Sequence, residues 1–246
     1  MITRMLSSLT IAAVLFAGTA DALSQAPPPP PPPGGGAALN ETALQTNGSQ
    51  SLTGEVWVDN WFALWLNGEK LIEDSVPITT ERSFNAERFT FRADPPYTFA
   101  FEFRDFMENE TGLEYIGTRR QQMGDGGAIA QFSDADGHIV AVTDENWRCL
   151  VVQHAPVGGQ ACERARNPTV GEGDCAARTT AISDGWTAPD FDDNAWASAT
   201  VHSQRAVGPK DGYDAIAWNP SAKLIWGKDL ERDNVILCRL TVSTGE

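Results

Sequence analysis

Positive charge is what this sequence most lacks. It carries 18 Lys and Arg against 33 Asp and Glu, a formal net charge of −15. That balance excludes nucleic acid as a partner, because phosphate backbones are held by basic patches. The acidic residues are dispersed, which reads as a solvated surface. Signatures of catalysis are also missing. The three histidines, His138, His154 and His202, stand in no GxSxG or HExxH frame, and there is no glycine-rich phosphate loop. Nucleophilic catalysis needs Ser or Cys near His with an orienting acid, so the expectation is a protein that is not an enzyme. Glycoside hydrolysis stays open, since it needs only two carboxylates about 5 to 10 Å apart. Glu102, Asp105, Glu108 and Glu110 are the first to test. Long apolar runs are absent beyond the N terminus, and helical periodicity is scarce.

What is there begins with a secretory pattern at residues 1–22. Arg4 supplies the positive start, LTIAAVLFAG a short apolar stretch, and Ala20–Ala22 the small residues for cleavage. The run is short for a membrane anchor. Residues 23–52 read as a disordered spacer. Pro27–Pro33 favour a stiff polyproline II rod, and Gly34–Gly36 a joint. Residues 53–246 are then one folded domain, exported to the periplasm, the cell surface or the extracellular space.

Within that domain, short β-type runs alternate with Gly, Asn and Asp turns. Asn67-Gly68 signals a hairpin after GEVWVDNWFALWL. YTFAFEFRDF, GGAIAQFSD, HIVAVTD, RCLVVQH, AKLIWG and NVILCRLTV read as further strands. Residues 156–184 read as a long loop. The class is all-β, a sandwich or jelly roll. The four cysteines allow three pairings. Cys162 with Cys175, closing the loop, and Cys149 with Cys238, tying two strands, are favoured. A zinc site is the rival reading, against which stands the lack of any CxxC or suitably spaced His.

Residues 55–66 pose a specific problem. They read as one strand with apolar residues on both faces. Val56, Val58, Phe62, Leu64 and Leu66 form one row, and Trp57, Trp61 and Trp65 the other. Along a strand, residues four apart stand about 13 Å from each other. An uncovered tryptophan row would suit several sugar units. The competing reading is that another segment, such as the 156–184 loop, covers the row, because large exposed apolar patches are uncommon.

Several stretches together resemble galactose-binding-like jelly rolls, which occur as accessory domains of bacterial glycosidases, rhamnosidases included. They are VDNWFALWLNGEKL, GDGGAIAQF, DADGHIVAVTDENWRC, GWTAPDFDDNAWASATV and the ending IWG…NVILCRL, in the family's order over roughly residues 53–242. The resemblance implies that Phe62, Leu64 and Leu66 point into the sandwich. It also implies that Trp147, Trp186, Trp196 and Trp226 are structural, and that Trp65 occupies an often aromatic position. Trp57, Trp61 and Trp218 have no such assignment, so Trp57, Trp61, Trp65 and Trp218 are the candidate ligand-binding residues. The expected function is non-catalytic binding of carbohydrate or extracellular polysaccharide. The alternatives are a structural or adhesive protein that binds another protein or itself, and a glycosidase-like enzyme. Folds of this type often carry a structural Ca²⁺. Asp190, Asp192 and Asp193 are its candidate ligands, although the same residues first read as pins of a turn. No other cofactor is implied.

Overall fold

A computed structural model describes residues 39–243; the expected signal segment and residues 23–38 of the expected spacer lie outside the described residues. The chain forms β1 (Asn40–Ala43), β2 (Gln50–Asp59), β3 (Trp61–Leu66), β4 (Glu69–Glu73), β5 (Ala86–Ala93) and β6 (Tyr97–Arg104). The short pair β7 (Leu113–Glu114) and β8 (Gln122–Met123) precedes β9 (Gly127–Asp134), β10 (Ile139–Val142) and β11 (Arg148–His154). Then come β12 (Arg178–Thr179), β13 (Ala197–Ser198), β14 (Thr200–His202), β15 (Leu224–Trp226) and β16 (Asp233–Val242).

Two seven-stranded sheets result. The first runs β1-β5-β2-β9-β15-β14, with β10 also on β9; the second runs β12-β11-β16-β6-β3-β4, with β13 also on β11. Their inner faces share one core. Phe89, Phe91 and Phe132 come from the first sheet, and Phe99, Phe101 and Phe103 from the second. Phe99 and Phe132 stack across the layer with centroids 4.1 Å apart. Burial of these rings is the main favourable term, as in any sandwich whose strands alternate inward and outward. The all-β sandwich class expected from the sequence is therefore the observed one.

Local chemistry explains the strand ends. Asn67 and Gly68 take φ angles of 51° and 89° between β3 and β4, as a two-residue hairpin turn requires. Asn67 Oδ1 also accepts the Thr98 N–H at 2.8 Å, tying the turn to β6. Both favoured cysteine pairings are present: Cys149–Cys238 joins β11 to β16 and Cys162–Cys175 closes the 156–184 segment. That segment is more structured than a loop, with a helical turn at Gln160–Glu163 and β12 within it.

Two expectations need correction. The fold begins before residue 53: β1 pairs in parallel with β5, and β2 starts at Gln50. The polar composition of NETALQTNGSQ hid this, because an edge strand with one solvated face needs few apolar residues. Residues 55–66 are also not one strand. The chain turns at Asp59-Asn60 and passes from the first sheet to the second. Asn60 pins the corner. Its Nδ2 donates to the Glu81 carbonyl at 3.1 Å, and its backbone N–H to the Arg104 carbonyl at 2.9 Å. Its Oδ1 accepts the Phe106 N–H.

Candidate functional site

The corner decides where the tryptophans go. Val56, Val58, Phe62 and Leu64 all enter the shared core, with Leu66 packed against it. The inward row therefore keeps its parity through the turn. The outward row cannot stay on one surface, because the outer faces of two facing sheets look in opposite directions. Trp57 lies on the outside of the first sheet, Trp61 and Trp65 on the outside of the second. The three do not form a ladder.

Trp57 is fully buried. Its Nε1 donates to the Asp211 carbonyl at 3.0 Å, and Tyr213 packs edge-on at 5.6 Å. Its cover is the 207–224 segment, including Val207, Ile216 and Ala222, and not the 156–184 loop. Trp218 belongs to that cover: half-buried, it packs on Tyr213 and donates to the Tyr213 carbonyl at 3.0 Å. These two indoles build a second apolar layer.

Trp61 and Trp65 remain half-buried on the outer face of the second sheet. Arg104, directly opposite Trp61 on β6, places its guanidinium 5.6 Å from that ring. Arg104 Nε donates to Glu102 Oε1 at 2.6 Å. Trp65 meets Trp186 edge-on at 5.3 Å, with Lys70 Nζ 5.8 Å from its ring. The short side chains of Ala63 and Ala100 lie along the same face. The face thus combines two indoles with a guanidinium, a carboxylate and an ammonium.

The 185–196 turn borders this face. Arg239 is 1 % exposed beneath it. Its guanidinium donates to Asp193 Oδ2 at 3.0 Å, to the Ala188 carbonyl at 3.1 Å and to the Trp186 carbonyl. Asp192 Oδ1 accepts the Asn194 N–H at 3.0 Å, and Asp190 is exposed. Asp190, Asp192 and Asp193 do not converge: one oxygen is taken by an arginine and another by the turn itself. The residues do not fit a Ca²⁺ site, and their work is to pin the turn.

Glu102 and Asp105, the expected carboxylate pair, point to different places. Glu102 lies on the outer face with Arg104, whereas Asp105 is 1 % exposed at the end of the sandwich. Glu108 and Glu110 accept bonds from the Ile116 N–H and the Gln153 amide. The carboxyl groups brought together are Asp59, Asp105, Glu114 and Asp125, with Lys210 at their rim. Burial, then the charge of Asp125, pushes Asp59 up to about 7 against the pull of Lys210. Burial lifts Glu114 to about 7. Burial, followed by repulsion from Asp59 and Asp125, holds Asp105 well above the usual carboxylate range. Sequence reasoning missed this group because its members come from four separate segments. Of the four, only Asp105 was among the carboxylates named from the sequence.

A cavity of about 450 Å³ opens at the β11 side of the second sheet, away from Trp61. His154, Arg178, Trp226, Lys228 and Asp233 are among its lining residues, with His154 Nδ1 2.7 Å from Asp233 Oδ1. Its size suits a small ligand. Comparison with protein-family models, with curated proteins and with solved structures finds no match to this chain.

Proposed function

We propose that this protein is an exported, non-catalytic carbohydrate-binding β-sandwich of the galactose-binding-like type, working at the cell surface or in the extracellular matrix. The observation that carries the reading is the outer face of the second sheet, where Trp61 and Trp65 stay half-exposed beside Arg104, Glu102 and Lys70. Sugar rings present apolar faces rimmed by hydroxyls. Indoles cover such faces, while a guanidinium and a carboxylate bond the rim. Two indoles about 13 Å apart on one strand reach over several sugar units. The two disulfides are compatible with an oxidising compartment outside the cytosol. The ordered set of family-like motifs supports the finer assignment of the sandwich.

A glycan array followed by titration tests this. The protein is expected to bind a polysaccharide, and Trp61→Ala to weaken that binding roughly tenfold, about 1.4 kcal/mol, with its unfolding temperature unchanged. No glycan bound, together with a concentration-dependent dimer, overturns the reading in favour of an adhesive protein. Normal binding by Trp61→Ala but none after Arg178→Ala would move the site to the cavity.

A further inference from the structure

The cavity beside β11 draws its walls from both sheets. Leu150, Val151 and His154 of β11 line it from the second sheet, Thr200 of β14 and Trp226 of β15 from the first. Most of the wall is apolar. Trp196 and Trp226 are buried against it, whereas Arg178 and Lys228, which line it too, are exposed. The cavity therefore runs from an indole-lined interior to a cationic mouth. Its volume of about 450 Å³ is that of a small-ligand site.

The charges at the mouth are unevenly matched. Strand register sets Arg178 of β12 opposite His154 of β11, and His154 opposite Asp233 of β16. Asp233 is engaged on both oxygens, Oδ1 with His154 Nδ1 at 2.7 Å and Oδ2 with the Asp229 N–H at 3.0 Å. Asp229 is engaged likewise. Its Oδ2 accepts from Arg232 Nε at 2.7 Å and its Oδ1 from the Glu231 N–H at 3.1 Å. Both acids are thus taken up by their own neighbours. Arg178 and Lys228 have no ion pair or side-chain hydrogen bond among the described residues. In a chain of net charge −15, two cations left without an acid at the mouth of an apolar cavity call for an anion from outside.

We propose that this cavity binds a small organic carboxylate with an apolar body. Arg178 and Lys228 hold the carboxylate, and the hydrocarbon part lies against Leu150, Val151 and Trp196. The planar fork of arginine matches a carboxylate with two parallel hydrogen bonds. The wall selects the rest of the molecule, since apolar surface leaves water only for an apolar partner. An inorganic anion would meet the cations and leave the wall wet; an uncharged alcohol would do the reverse. The cavity lies away from Trp61 and Trp65, so the inference does not depend on sugar binding at the outer face.

Calorimetric titration of the intact chain with sodium octanoate tests the proposal. One octanoate per chain is expected, with a change in tryptophan emission. Octan-1-ol and inorganic phosphate, which carry the chain or the charge alone, should each bind at least tenfold more weakly. Arg178→Gln, at an exposed position, should weaken octanoate at least tenfold and leave the unfolding temperature of the ligand-free chain unchanged; Lys228→Gln is the second variant should the first unfold. Arg119→Gln removes another exposed cation, one outside the cavity lining, and should bind octanoate as the parent does. No saturable octanoate binding would overturn the proposal. So would octan-1-ol, phosphate or D-glucuronate binding as tightly as octanoate, or an equal loss in Arg119→Gln.

Discussion

Asp74 shows how one buried acid couples this fold to pH. It is 6 % exposed, and its Oδ1 accepts the Val76 N–H at 2.8 Å. Burial pushes it up to about 8, the Val76 bond pulls it back, and nearby Glu87 adds to the rise. In the unfolded chain an aspartate titrates near 3.9. Between about 4 and about 8 the folded state therefore holds more protons than the unfolded one, so stability falls as pH rises through that window. At about 1.4 kcal/mol per pH unit the loss is on the order of a few kcal/mol. Urea unfolding at pH 5 and pH 8 should show a smaller loss in Asp74→Asn than in the parent chain. Some loss should persist, since Asp59, Asp105 and Glu114 are shifted in the same direction.

At the scale of elements, β1 is the least expected strand and the easiest to remove. It pairs along β5 from Asn40↔Glu87 to Ala43↔Thr90. Asn40 Nδ2 donates to buried Glu87 Oε2 at 2.7 Å, and Glu41 takes Arg88 at 2.8 Å. Leu52, at the start of β2, is 1 % exposed. A chain beginning at Thr53 would lose all of these and leave β5 as an unpaired edge. It should be less stable than one beginning at Leu39 by at least ~3 kcal/mol, taking the usual cost of deleting one buried leucine as the floor. Denaturant midpoints of the two chains would check this; equal midpoints would show that β1 adds nothing.

Across the whole molecule, the two disulfides constrain the unfolded chain very differently. Cys149 and Cys238 are 89 residues apart, Cys162 and Cys175 only 13. Loop-closure entropy grows slowly with length, giving ~4.6 kcal/mol for the first bridge and ~3 kcal/mol for the second. Paired Cys→Ser variants should lose stability in that order. The longer bridge also sits in the main core, where Cys238 is 0 % exposed, which adds a packing loss. A larger loss for the Cys162–Cys175 pair would contradict this ordering.

The sequence by itself determined the all-β class, the Asn67-Gly68 turn and the inward row from Val56 to Leu66, and of the three cysteine pairings it allowed it favoured the one the fold contains. Each rests on short-range chemistry: period-two alternation, positive φ at a tight turn, or the count and placement of four thiols. Tertiary structure decided the rest. No local pattern marks Asp59-Asn60 as a corner between two sheets, since the two apolar rows resume beyond it with the same parity. That corner separates Trp57 from Trp61 and Trp65, burying the first and leaving the others beside Arg104. Long-range closure also brings Asp59, Asp105, Glu114 and Asp125 together from segments that look solvated one by one. Alternation fixes which side of a strand faces inward; only the packing of the two sheets fixes which exterior each remaining side chain reaches.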